Sequence, residues 1–180
     1  MAAVDRQPEN QNFLSPLGFR FTIQKTPHIN WFVQAANIPG MALPAVEINT
    51  PFKTIPLSGE HLQYEPFVIS FRVDEEMKNY VEIYDWLIGS GFPDNYGQYF
   101  GRGPDDLGVK SFTKQDAVKS DASLTILNSN MRPIIDVKFV DIAPIALSEL
   151  NFDMKYTDVD YIAAQATFSY RYFLIERLQS

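Results

Sequence analysis

Residues 67–91 read FVISFRVDEEMKNYVEIYDWLIGSG, and the period of the apolar residues changes inside this stretch. Phe67, Ile69, Phe71 and Val73 alternate with Val68, Ser70 and Arg72, the two-residue repeat of a strand with one apolar face. Beyond Asp74 the repeat lengthens, because Met77, Tyr80, Val81, Tyr84, Leu87 and Ile88 fall together on one side of a helix. Asp74 suits the N-cap, Glu75 and Glu76 suit the positive end of the helix dipole, and Gly89 or Gly91 suits a left-handed stop. The stretch therefore predicts a strand running directly into one amphipathic helix, the only long one expected in the chain.

Outward from it the chain reads as strands. Gly18 to Lys25 alternates Phe19, Phe21 and Ile23 with polar residues, and Asn30 to Ile38 forms a second run that ends at the turn-favouring pair Pro39-Gly40. Pro44, Pro51 and Pro56 then punctuate Val46, Ile48, Phe52, Ile55 and Leu57. Proline removes ladder donors, so this region predicts short edge strands or an extended hairpin. In the second half, strands are expected over Ser123–Leu127, Ile134–Phe139, Leu150–Tyr156 and, as one long strand, Ile162–Ile175. Residues 92–122, with Pro93, Gly97, Gly101, Gly103, Pro104 and Gly108, read as a long loop carrying Tyr96, Tyr99, Phe100 and Phe112. Residues 1–12 read as a flexible arm, leaving 13–180 as a single domain.

Composition excludes most chemistry. The 180 residues hold no cysteine and two histidines, so thiol nucleophiles, disulfides and Cys-ligated metals are ruled out. His28 and His61 sit in polar loop sequence, and no Ser lies in a G-x-S-x-G elbow. Asp74-Glu75-Glu76 reads as a helix start, and Asp105-Asp106 and Asp158-Val159-Asp160 read as solvated turns without a Ca²⁺-loop pattern. Gly101-Arg102-Gly103 lacks the context of a phosphate cradle, and Lys110, Lys114 and Lys119 with Phe112 read as a solvated loop. Neither catalytic residues nor cofactor nor metal is expected.

Twenty-two acidic against fifteen basic side chains give a net charge of −7, which disfavours a surface built to grip phosphates. The opening MAAVDRQPENQNF is polar and acidic where an export signal has a basic and then an apolar region, and apolar runs are short. A soluble chain of a reducing compartment is expected, with no membrane partner.

What is left is a mainly β domain with one flanking helix (α+β) and few titratable specialists. Its order of features resembles the tail tube proteins of contractile-tailed bacteriophages. An early strand leads to a Pro-Gly turn (Ala36-Asn37-Ile38-Pro39-Gly40), and a Pro-rich stretch runs into FVISFRVDEEMKNYVEIYDWL. A late strand passes through a proline (FVDIAPIALSEL, Phe139 to Leu150), and a long alternating strand closes the chain. The resemblance spans Phe13 to Glu176.

It implies an antiparallel β-sandwich or barrel-like tail-tube fold, six copies of which form a ring whose inner sheets close one barrel. The implied role is structural, a hexameric ring subunit of the tail tube through which the genome passes without specific DNA binding. Implied partners are other copies in stacked rings and the tail sheath, baseplate or tail terminator proteins, in a virion tail assembled in the host cytoplasm. The long arm and loop admit a second version, a specialised tube-terminating or baseplate-proximal ring. A reading of another class is a small-ligand or carbohydrate-binding β-sandwich, with loop aromatics stacking on sugars. For the ring, Phe52, Ile55, Leu57, Tyr96, Tyr99 and Phe100 are the expected subunit-interface residues.

Overall fold

The computed structural model describes residues 12–91, 119–153 and 161–178. Their strands form two four-stranded antiparallel layers that share one long strand. The elements in chain order are β1 (Phe19–Ile23), a 3-10 helix (Pro27–Trp31), β2 (Val33–Ala36), β3 (Met41–Ala42), β4 (Ala45–Asn49), β5 (Thr54–Ser58), β6 (Gln63–Tyr64), β7 (Phe67–Arg72), α1 (Lys78–Gly91), β8 (Ser120–Leu127), β9 (Pro133–Leu147), β10 (Ala163–Ser169) and β11 (Tyr172–Arg177). The first layer is ordered β1-β8-β9-β11 and the second β9-β10-β7-β2. Among the described residues the sheet does not close on itself.

Strand β9 belongs to both layers because it bends. Residues 135–140 pair with β11 and residues 143–147 with β10, and Asp141 between them has φ 57°. A non-glycine residue in the left-handed region is uncommon, and Asp tolerates it better than most. The stretch expected as one strand, Ile162–Ile175, is accordingly two, broken at Tyr170 and Arg171 opposite the bend. The even-numbered face, from Ile162 through Phe168 and Tyr170 to Leu174, stays apolar across the break, so the repeat reads on as one strand.

The inner faces of the layers meet in an aromatic core. Phe67 on β7 lies 4.3 Å by ring centroid from Phe139 on β9, 5.5 Å from Phe21 on β1 and 6.2 Å from Phe168 on β10. Helix α1 packs against β9 and brings Trp86 to 6.1 Å from Phe168.

The helix departs from expectation in two ways. It starts at Lys78, because Met77 has φ 55° and closes a turn in which its N–H bonds the Asp74 carbonyl. Glu75 and Glu76 lie in that turn, and the Asp74 carboxylate accepts the N–H of Asn79. The buried side is Asn79, Ile83 and Trp86, flanked by Tyr80 and Leu87, whereas Val81 and Tyr84 are exposed. Asn79 is tolerated inside because its amide donates to the Arg72 carbonyl at 2.7 Å.

Three strand boundaries also move. Residues 27–31 wind as the 3-10 helix begun by Pro27, so the second run starts at Val33. β8 begins at Ser120 and β9 runs on to Leu147, both longer than expected. Residues 151–153 are not strand, and the rest of that expected strand up to 156 lies outside the described residues.

Candidate assembly surfaces

Strands β4 and β5 form a hairpin that pairs with no other strand among the described residues, and all ten of their residues are exposed. The register sets Val46 opposite Leu57 and Ile48 opposite Ile55, so one face of this finger is apolar. Glu47, Asn49, Thr54 and Ser58 occupy the other face, and Phe52 at the tip is 97% exposed. The tip is held by Thr50, whose hydroxyl accepts the Lys53 N–H and donates to the Lys53 carbonyl. An isolated two-stranded hairpin is marginal in water, so the bare apolar face of this finger is a candidate docking surface.

Phe52, Ile55 and Leu57 thus all lie on this finger. Tyr96, Tyr99 and Phe100 lie outside the described residues, as do Asp105, Asp106, Lys110, Phe112, Lys114 and Asp158 to Asp160. His61 lies just before β6 and is exposed, while His28 contacts Glu82 and ties the 3-10 helix to α1. Lys119 reaches the Asp141 carboxylate at 3.5 Å. Among the described residues no three His, Asp or Glu side chains converge to hold a metal.

The finger joins the body through a short stalk, β3 paired with β6. Here the chain passes over itself so closely that a Cβ on Gly59 would overlap the Pro44 carbonyl oxygen. Tyr64 on β6 meets Tyr170 and Phe173 edge to face, at 5.9 and 5.8 Å, and the Tyr170 hydroxyl donates to the Glu65 carbonyl at 2.7 Å. Burial, with smaller contributions from Tyr64 and Glu65, pushes the Tyr170 phenol up to about 12 from an ordinary 10.0.

A group that binds its proton more tightly when folded contributes stability below its unfolded pKa and loses it as pH rises through the folded value. Stability should therefore fall between pH 10 and 12, and fall less in Tyr170→Phe; thermal melts of both proteins over that range check this.

The second surface is the pair of open edges of the first layer. Leu178 donates to Ile134 and the register pairs Glu176 with Asp136, so even-numbered residues of β11 bond β9. By alternation the N–H groups of Phe173, Ile175 and Arg177 point away from β9, to a side where no described strand pairs with β11. On β1, Leu127 donates to Gly18 and Gln24 to Asp121, which leaves the backbone N–H groups of Phe19, Phe21 and Ile23 pointing away from β8. Ile23 is already satisfied: Asn30 accepts its N–H at 3.0 Å and donates to its carbonyl at 3.4 Å. The Asn30 amide imitates a neighbouring strand and ends the open edge after Phe21.

The outward face of this layer is polar, with Thr22, Ser123, Lys138 and Leu174 in one row and Arg20, Thr125, Asp136 and Glu176 in the next. Thr125 donates to Asp136 at 3.0 Å and Lys138 pairs with Glu176 at 2.7 Å. The two acids and two bases of these two rows balance.

Sequence reasoning missed Tyr64, Tyr170 and Asn30. Tyr64 and Tyr170 act through partners about a hundred residues away, and Asn30 bonds the backbone of Ile23 across the turn before it; no apolar repeat encodes either relation.

These two layers, one helix and a projecting hairpin define the fold of tube-like proteins of contractile injection systems. The chain superposes on the tube-terminating cap of the anti-feeding prophage with a TM-score of 0.61 at 13% identity, covering 99% of this chain and 100% of that one. A chain from the sheath/tube terminator of the PVC extracellular contractile injection system gives 0.58 at 11% identity, over 93% and 99%. One from its sheath-tube complex gives 0.55 at 11%, over 93% and 94%. In sequence the chain is 28% identical over 148 residues to the tail tube terminator protein of Enterobacteria phage T4, covering 80% of this chain and 76% of that protein. No family model matches. The resemblance read from residue order is thus to the right group, with terminators prominent in it.

Proposed function

We propose that this chain is a tail tube terminator, a structural ring subunit that caps the end of the tube of a contractile tail, and not the repeating tube subunit that residue order first suggests. The sequence likeness to the T4 terminator over most of both chains favours the cap. The observation that carries an assembly role is the finger, whose ten strand residues are all exposed and whose apolar face calls for a partner.

The open edges suggest how copies join. β1 and β11 run antiparallel to each other across a four-stranded layer, so β11 of one copy can pair with β1 of the next and repeat the same alternation. The second layer is a poorer candidate, because its edge strand β2 has four residues and a register shift between Val33 and Ala35. Six copies, the number the resemblance implies, would give about 24 strands and a backbone ring roughly 37 Å across before strand tilt widens it. The balanced Ser- and Thr-rich face would then line the channel, offering a passing polyanion neither a basic grip nor strong repulsion.

On this reading the apolar face of the finger docks on the tube, and the partners are further copies, the tube and the sheath. Negative-stain images of the purified protein, alone and mixed with tubes, test it. Six-fold rings that cap tube ends are expected; a monomer that ignores tubes would rule it out.

A further inference from the structure

We infer that Tyr170 is the positioning residue that aims the finger, fixing its direction against the strand β11 that closes the ring. The inference rests on the reading of the finger as a docking element, but its structural half stands on the single chain. Tyr170 occupies the break between β10 and β11, the one place where the strand leaves the second layer for the first. From there its ring contacts Phe139 at 5.2 Å and Phe173 at 6.0 Å, both in the first layer. Its other contacts belong to the stalk: Tyr64 at 5.9 Å, and the Glu65 carbonyl reached by its hydroxyl.

Glu65 in turn donates its N–H to the Gly40 carbonyl at 3.0 Å, so one residue grips both chain segments of the stalk. Tyr170 continues the inward alternation of Ala164, Ala166 and Phe168 on β10, and the phase changes just beyond it, where Phe173 turns inward on β11. The phenol stays neutral over the working pH range and so keeps its donor.

Beyond this cluster the finger has no strand partner in the body among the described residues, which places the control of its direction at the stalk. A neighbour's β1 that pairs with β11 would press on strand residues adjoining Tyr170. Ring closure and finger direction therefore meet at one side chain, and a closed ring presents its fingers already aimed.

The chain has no cysteine, so spin labels at Lys53→Cys on the tip and Asn130→Cys in the β8–β9 turn report finger direction without background. Pulsed electron paramagnetic resonance should give a narrow distance distribution in the parent. Tyr170→Phe, which keeps the ring and loses only the hydroxyl, should broaden it while leaving the circular dichroism spectrum unchanged. Tyr64→Ala should broaden it further, and attachment of Tyr170→Phe rings to tube ends should weaken about tenfold. A purely structural role would lower the melting temperature and leave the distribution narrow. Narrow distributions in both folded variants overturn the inference. A broadened distribution with undiminished attachment supports the aiming role and overturns the docking reading instead.

Discussion

Rings carrying Ile55→Asp and Leu57→Asp should no longer attach to tube ends, while the isolated chain melts as the parent does. The asymmetry follows from where these side chains sit. Both are substantially exposed in the single chain, at 39% and 47%, and neither belongs to the core, so carboxylates there cost the monomer little. In a docked finger the same positions would lose water. Burying an aliphatic side chain of this size is worth about 1.5–3 kcal/mol, so losing two removes roughly 3–6 kcal/mol per finger before any penalty for desolvating the carboxylates. At 1.4 kcal/mol per decade that is at least about a hundredfold per finger, and fingers engaged together multiply it. Co-sedimentation with tubes and a thermal melt measure the two halves. Normal capping by the double variant would remove the finger from the interface.

Ile175→Pro should block ring closure and leave folded monomers or short open arcs. Position 175 is chosen because its N–H faces away from β9, so proline removes a donor from the open edge without breaking the internal ladder. Proline at a free edge is tolerated, and the melting temperature should shift by only a few degrees. Each seam would lose a hydrogen bond worth about 1 kcal/mol and gain a steric conflict, and a closed ring meets that loss at every seam. Light scattering should report a mass near the 20.5 kDa subunit. Glu176→Pro serves as the control, since its N–H faces β9: it should unfold the edge, whereas Ile175→Pro should not. Intact rings from Ile175→Pro would move the seam elsewhere.

Most of the fold was legible where a local repeat was strong. The change of period at Asp74 announced β7 and α1, and the prolines at 44, 51 and 56 marked the finger as edge structure. Which side of the helix faces inward was misread. Ile83 and Trp86 are the buried anchors, but the apolar arc from Met77 to Ile88 is wide enough that its most populated stripe includes the exposed Val81 and Tyr84. Periodicity reports how wide an apolar arc is, and the tertiary partner chooses its centre. The break at Tyr170 escaped for a related reason: it is imposed by Asp141, a residue on a different strand. Of the surfaces, the finger was visible as exposed apolar residues in a proline-bounded hairpin. The open edges were not, because which N–H groups lack partners is a property of register.

The bend in β9 has one more consequence, for how the chain tolerates change. A residue gained or lost within 133–140 would invert every side chain beyond it along an unbroken strand, exchanging core for surface. The left-handed step at Asp141 already sits where β8 and β9 fall out of phase, between the pairs Ala122–Phe139 and Ser120–Ile142, so such a slip can be absorbed there before it reaches residues 143–147. The two layers can therefore vary in length independently, and sequences of relatives should place insertions and deletions at the bend more often than within 143–147.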